Sequence, residues 1–226
     1  MARFLIIDTA LEEAIVALGK DGKIIGELTN KERHSHASFI QVAIAKMLEA
    51  HQMAMTEIDA IVVTLGPGSY TGLRVGLATA KGIAYTLEKP LIGLSTLSAL
   101  AAAAIQLSPT SIEASTQIFS MIDARRMEVF GAIYDASLKP ILSEQAMVLD
   151  QTKWSSLISQ PTICIGNGHL KTKDFTSTHH LIYLDGNYTS QVLLDLAMAK
   201  WTAGQFEDLA YVGPNYLKEV YILPHK

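Results

Sequence analysis

Residues 58 to 76 read IDAIVVTLGPGSYTGLRVG, and this stretch decides the fold. Positions 60 to 65 are an unbroken apolar run between Asp59 and Gly66, the pattern of a strand covered on both faces. Glycines at 66 and 68 mark a turn, and from 72 to 87 the spacing becomes helical. Strand, glycine turn and helix in that order make an α/β unit. The turn admits two roles. It gathers backbone N–H groups at the positive end of a helix dipole, so Gly66, Gly68 and Ser69 are phosphate-contact candidates. Alternatively it only turns the chain, with Ser69 or Thr71 capping the helix. No Gly-Lys-Ser/Thr closes it, and Gly66, Gly68 and Gly72 lack the dinucleotide-binding spacing. A nucleophile elbow at Ser69 needs glycine two residues to either side, where Pro67 and Thr71 stand.

The helix that follows is apolar over most of its circumference. Gly72, Gly76, Ala80 and Ala84 recur every fourth residue as a smooth stripe beside Leu73 and Leu77. Residues 34 to 52 show a second helical pattern, with Phe39, Ala43 and Met47 on one row and Ile40, Ile44 and Leu48 on the next. Such faces need covering. Either the two helices pack on each other and on one sheet, or they form half of a bundle completed by another chain.

Working outward, 4 to 8, 14 to 18 and 23 to 28 read as strands, the last two joined by the Asp21-Gly22 hairpin signal. A strand at 91 to 93 precedes an Ala-rich helix to about 107, capped by Ser95 or Thr96. The Ser/Thr-rich stretch 108 to 116 is the expected domain junction. Beyond it, 117 to 123 and 128 to 134 form a hairpin, 162 to 168 a strand with a glycine turn, and 191 to 206 a helix capped by Ser190. Both parts run hairpin, strand, glycine turn, helix. The expectation is an α/β protein of two related halves with mixed sheets flanked by helices, 1–107 and 108–226, the C-terminal tail able to pack back on the first.

No segment reaches the roughly 20 apolar residues of a membrane-spanning helix, and the N-terminus lacks the pattern of a secretory leader. Cys164 is the single cysteine, which excludes an intrachain disulfide and fits a reducing cytoplasm. A net charge of -4 without a Lys/Arg run excludes the footprint of a protein that grips nucleic acid alone.

IDTA at 7 to 10, the opening stretch and IDARRMEVF at 122 to 130 resemble the TsaB family, also called YeaZ. The likeness is dense to about residue 100, returns at 122 to 130 and in YLK at 216 to 218, and is thin from 135 to 190. It implies the ASKHA fold of actin, sugar kinases and Hsp70. It also implies a non-catalytic dimerisation subunit of the machinery that places threonylcarbamoyl on the adenosine beside a tRNA anticodon. The implied partners are a TsaD-like catalytic subunit and a TsaE-like ATPase, with a homodimer when alone and tRNA met only through the complex. ATP, threonylcarbamoyl-adenylate and metal are then expected on the partners, with no cofactor or catalytic residue here. The expected interface comprises Phe39, Ile40, Ala43, Met47, Gly72, Gly76, Leu77, Ala80 and Ala84, so a bulky charge at Gly76 or Ala80 should abolish pairing yet leave the monomer folded.

TsaD shares the strand and the Gly-Pro-Gly turn, but its metal-binding histidine pair is incomplete here. His36 matches one position, Glu32 stands at the other, and His34 is out of step. The remaining histidines, His179 and His180 among them, are expected in solvent. In ASKHA kinases an acid and glycine-hydroxyl turns after the first strand hold phosphate, which makes Asp8 and Thr9 further candidates. Ala10-Leu11-Glu12-Glu13 supplies no glycine there and adds negative charge. GNG at 166 to 168 reads as a strand-end turn or an adenosine-side remnant, and Asp123, Arg125 and Arg126 as a hairpin with exposed charges. A small ASKHA phosphotransferase using Asp8 is the rival expectation; for a peptidase no nucleophile or metal centre is assembled.

Overall fold

The structure, a computed structural model, describes residues 2–32, 36–108 and 112–218. The first sheet contains β1 (Arg3–Asp8), β2 (Ala14–Lys20), β3 (Lys23–Asn30), β4 (Ala60–Gly66) and β5 (Leu91–Ser95), in the order β3-β2-β1-β4-β5. β1, β2 and β3 form an antiparallel meander, while β4 and β5 add in parallel to β1. Buried strands β1 and β4 have continuous apolar runs; the edge strand β3 carries Lys23 and Glu27 in solvent, which blunts edge pairing.

Two helices follow the strand pattern that forced them. α1 (His36–Ala50) and α2 (Tyr70–Leu87) pack on the sheet, where Ile40, Ala43, Ile44, Met47, Leu77, Ala80 and Ala84 share one core with Leu5, Ile7, Val16 and Leu18. The expected start of the first helix at 34 lies outside the described residues. α3 (Thr96–Leu107) is capped by Ser95, whose Oγ accepts from the N–H groups of Leu97 and Ser98 at 3.1 Å.

The second sheet contains β6 (Gln117–Asp123), β7 (Glu128–Tyr134), β8 (Pro140–Val148), β9 (Thr162–Ile165) and β10 (Leu181–Leu184), in the order β10-β9-β6-β7-β8. Read from the third strand of each set, both sheets have the same order, with the same antiparallel and parallel pairs. This is the repeat that the order of elements announced. Its connections differ in size: α4 (Gln151–Leu157) is short, and a 3-10 turn at Asn167–Thr172 follows β9. Trp154, fully buried on α4, fills the core, stacked on Phe119 at 6.1 Å and near Phe175 at 5.9 Å. β8, α4 and β10 were not foreseen.

The last helix, α5 (Ser190–Thr202), is capped by Thr189 rather than Ser190 and ends before the expected 206, where Gly204 takes a positive φ. It belongs to the first sheet, with the ring of Trp201 edge-on to Phe4 at 5.7 Å. The compact units are therefore the chain up to Ala103 with Asn187–Pro214, and Ala104–Gly186 with the residues from Asn215. The contiguous half drawn at 108–226 loses 187–214 to the first unit, because α5 buries Val192, Leu193, Leu194 and Ala197 there.

Cys164 lies in the core of the second unit, and burial pushes its thiol up to about 12. In the unfolded chain the thiol titrates near 8.5. The folded pKa is the higher one, so this contribution to stability is complete below the unfolded value and is lost as pH rises toward the folded one. Urea unfolding at a series of pH values should show stability declining above about pH 9. Cys164→Ala should reduce that slope, and the native thiol should resist thiol reagents until denaturant is added.

Candidate functional site

The glycine turn and the end of β1 meet, and they meet by backbone. Ser69 N donates to Ala10 O at 2.7 Å, and Thr9 Oγ1 donates to Gly72 O at 2.7 Å. A Cβ at Gly68 would lie 2.2 Å from Ala10 O, one at Gly72 2.1 Å from Thr9 O, and one at Gly76 2.3 Å from Thr9 Oγ1. Three glycines are thus required by the approach of this chain to itself. Ser69 is the cap of α2, its Oγ accepting from Gly72 N at 3.3 Å. Of the two roles open to the turn, the capping role is the one its hydrogen bonds perform. All five phosphate-loop candidates, Asp8, Thr9, Gly66, Gly68 and Ser69, are brought together, but the space beside Gly68 and Gly72 is filled by Thr9 and Ala10. Those residues do not fit a phosphate cradle.

Asp8 is 1% exposed, and its Oδ1 accepts from the Thr64 hydroxyl at 2.6 Å and from Ala10 N at 2.9 Å. Tyr188, buried ahead of α5, faces it together with Thr96. Burial and then the charge of Asp8 hold the Tyr188 phenol well above the usual tyrosine range. Sequence reading named Thr96 only as a possible helix cap and missed Thr64 and Tyr188, since nothing in NYTS at 187 to 190 distinguishes a buried tyrosine from a loop residue.

Of the nine interface candidates, Ile40, Ala43, Met47, Gly72, Gly76, Leu77, Ala80 and Ala84 are buried within the chain, and Phe39 is half-buried on the same core. The smooth stripe is used up inside the monomer. A bulky charge at Gly76 or Ala80 would strike the fold itself, which corrects the expectation of a folded monomer. What α2 shows to solvent is a different row, Arg74, Ala78, Gly82 and Tyr85, with Tyr85 78% exposed. The Arg74 guanidinium lies 4.1 Å above the ring of Tyr70. α1 likewise exposes Val42 and Ala45.

Gly166 has a positive φ, Asn167 Oδ1 accepts from Asp123 N at 2.8 Å, and Gly168 packs on Met121, so GNG ties the end of β9 to β6. Asp123 closes the hairpin tip: its Oδ1 takes Arg125 N at 2.6 Å and Lys171 Nζ at 2.5 Å. The Lys171 hydrogen bond is the chief reason its carboxyl stays below the usual range. His169 departs from the expectation of solvated histidines. It is 3% exposed, beside Tyr183 and 3.4 Å from Asp185 Oδ1. His34 and the side chain of His36 lie outside the described residues, and among the described residues no three His, Cys, Asp or Glu side chains gather as a metal site. Nor is any described helix long and apolar enough to cross a membrane.

A family model described as TsaD, tRNA N6-adenosine threonylcarbamoyltransferase, matches residues 23–176. The chain is 29% identical to the tRNA threonylcarbamoyladenosine biosynthesis protein TsaB of Escherichia coli K12, over 96% of this chain and 94% of that one. YeaZ from Pseudomonas aeruginosa superposes with a TM-score of 0.78 at 24% identity, over 96% of this chain and all of that one. A ROK hexokinase from Thermus thermophilus gives 0.50 at 9% identity, over 90% and 99% of the two chains, which places both sheets in the ASKHA fold.

Two alanine substitutions on one helix should act with opposite sign. Gly72→Ala drives a methyl into the Thr9 carbonyl and should cost about 2–3 kcal/mol in urea unfolding. Gly82→Ala meets nothing within 4 Å and should stabilise the isolated chain by about 0.5–1 kcal/mol.

Proposed function

The chain belongs to the TsaD family, on its TsaB/YeaZ branch, and from that premise we propose that it is a non-catalytic subunit of cytoplasmic tRNA threonylcarbamoyladenosine biosynthesis. In this reading it pairs with a TsaD-like catalytic chain and stabilises that chain's active form. ATP, threonylcarbamoyl-adenylate and metal sit on partner subunits, a TsaE-like ATPase joins transiently, and the chain pairs with itself when alone.

The observation that carries the reading is Gly82. A glycine inside a helix weakens it, and every other glycine of α2 is explained by Thr9 or Ser69 pressing against it. Gly82 has no such neighbour and lies on an exposed row between Ala78 and Tyr85. A small-residue row flanked by an exposed tyrosine suits close packing of a helix from outside the chain, with Tyr85 as an anchor. The contact then uses the solvent side of α2, opposite to the stripe named from sequence. The way the glycine turn is filled by Ala10 weighs against the phosphotransferase alternative.

The test is association. Gly82→Arg should melt no lower than the parent and Tyr85→Ala nearly as the parent, while each weakens co-elution with the TsaD-like chain of the same genome about tenfold or more. Retained co-elution with both variants would refute the reading. Calorimetric titration of the chain with ATP and magnesium should give no heat of tight binding; a saturable signal would revive the kinase alternative.

A further inference from the structure

The β6–β7 hairpin tip holds two features that packing does not explain. Arg125 and Arg126 both have positive φ, 70° and 48°, in the left-handed region where a side chain is disfavoured. Glycine or asparagine adopts this conformation far more readily than arginine. The tip is nonetheless well tied. Arg125 N donates to Asp123 Oδ1 at 2.6 Å, Glu128 N to Arg125 O at 3.1 Å, and Ala124 N to Glu128 O at 3.1 Å. The backbone is therefore held in a costly shape that presents two arginines side by side.

The second feature is electrostatic. Both arginines are exposed, and among the described residues neither is in an ion pair. The two acids nearest the tip are paired with lysines, Asp123 with Lys171 and Glu128 with Lys218, and Asp123 also feels the charge of Arg125. Four cations thus face two anions at this end of the second unit, on a chain whose net charge is -4. The tip is a local basic point on an otherwise acidic protein. Met127, 45% exposed, adds an apolar surface beside it.

We propose that Arg125 and Arg126 form a docking point for the phosphodiester backbone of RNA. Guanidinium forks match phosphate oxygens in pairs, and a rigid turn limits the entropy lost when they engage. Two phosphate contacts are too few to bind RNA tightly alone, in keeping with the charge of the rest of the surface; they position a strand held mainly elsewhere. RNA rather than an acidic protein face is the favoured occupant because of the pathway reading above, on which this clause of the inference rests.

The experiment measures fluorescence anisotropy of a fluorescein-labelled tRNA transcript with the complex of this chain and its TsaD-like partner, across a series of salt concentrations. The double variant Arg125→Gln/Arg126→Gln should bind the transcript about tenfold more weakly and flatten the plot of log K against log salt by about 1.4–1.8, the value for two lost phosphate contacts. Arg125→Lys/Arg126→Lys should keep most of the slope. Arg125→Gly/Arg126→Gly should lose binding like the glutamine pair yet melt no lower than the parent, because glycine accepts the left-handed turn. Unchanged affinity and slope in the glutamine pair would overturn the proposal. So would loss of complex assembly with RNA binding intact, which would assign the tip to an acidic protein face. Size-exclusion of the same samples separates the two readings: if the parent forms no complex, the pathway reading fails, and the titration is then decided on the chain alone.

Discussion

The first unit depends on how near the backbone of Thr9 and Ala10 comes to the start of α2. Contact at 2.1–2.3 Å from an imagined methyl leaves no tolerance at Gly68, Gly72 or Gly76. That approach fixes α2 against the end of β1, and two short hydrogen bonds, Ser69 N to Ala10 O and Thr9 Oγ1 to Gly72 O, hold it there. With α2 so placed, Leu77, Ala80 and Ala84 must face the sheet, and α1 closes over them through Ile40, Ala43 and Met47. The same rotation turns Ala78, Gly82 and Tyr85 outward. One steric constraint at the helix start therefore decides both what the core contains and what a partner could touch.

The two sheets repeat one strand order, yet their cores are filled differently. The first unit covers a face with two long helices, of 15 and 18 residues, and needs small residues to seat them. The second has a helix of 7 residues and a 3-10 turn in the equivalent connections, and Trp154 supplies the missing volume. A single large aromatic is a compact way to fill a space that a helix fills by length. Divergence of this kind preserves the hydrogen-bonded ladders, which allow few alternatives, and alters the packing, which allows many.

Charge is distributed with the same economy. The buried Asp8 accepts from the Thr64 hydroxyl and from the Ala10 N–H, and the buried Tyr188 faces it. The acids of the β6–β7 tip are instead paired with lysines, Asp123 with Lys171 and Glu128 with Lys218. Asp8 is thus a packed polar element of the first unit.

The sequence by itself determined the strands and helices whose signals are local. The apolar run at 60–65, the helical spacing of α1 and α2, the hairpin at 117–134 and the repeated order of elements follow from periodicities of two and 3.6, which any chain must satisfy to bury its apolar side. Short exposed elements were not legible: β8 and β10 are half-exposed and α4 has 7 residues, too few for a period to show. Only tertiary structure decided which side of α2 is inward. Spacing defines a stripe of Gly72, Gly76, Ala80 and Ala84 but carries no information on what lies opposite it, and Thr9, more than sixty residues earlier, turned out to be there. The return of 187–214 to the first unit, with Tyr188 over Asp8, was invisible for the same reason: a contact between distant segments leaves no mark in either one's local pattern.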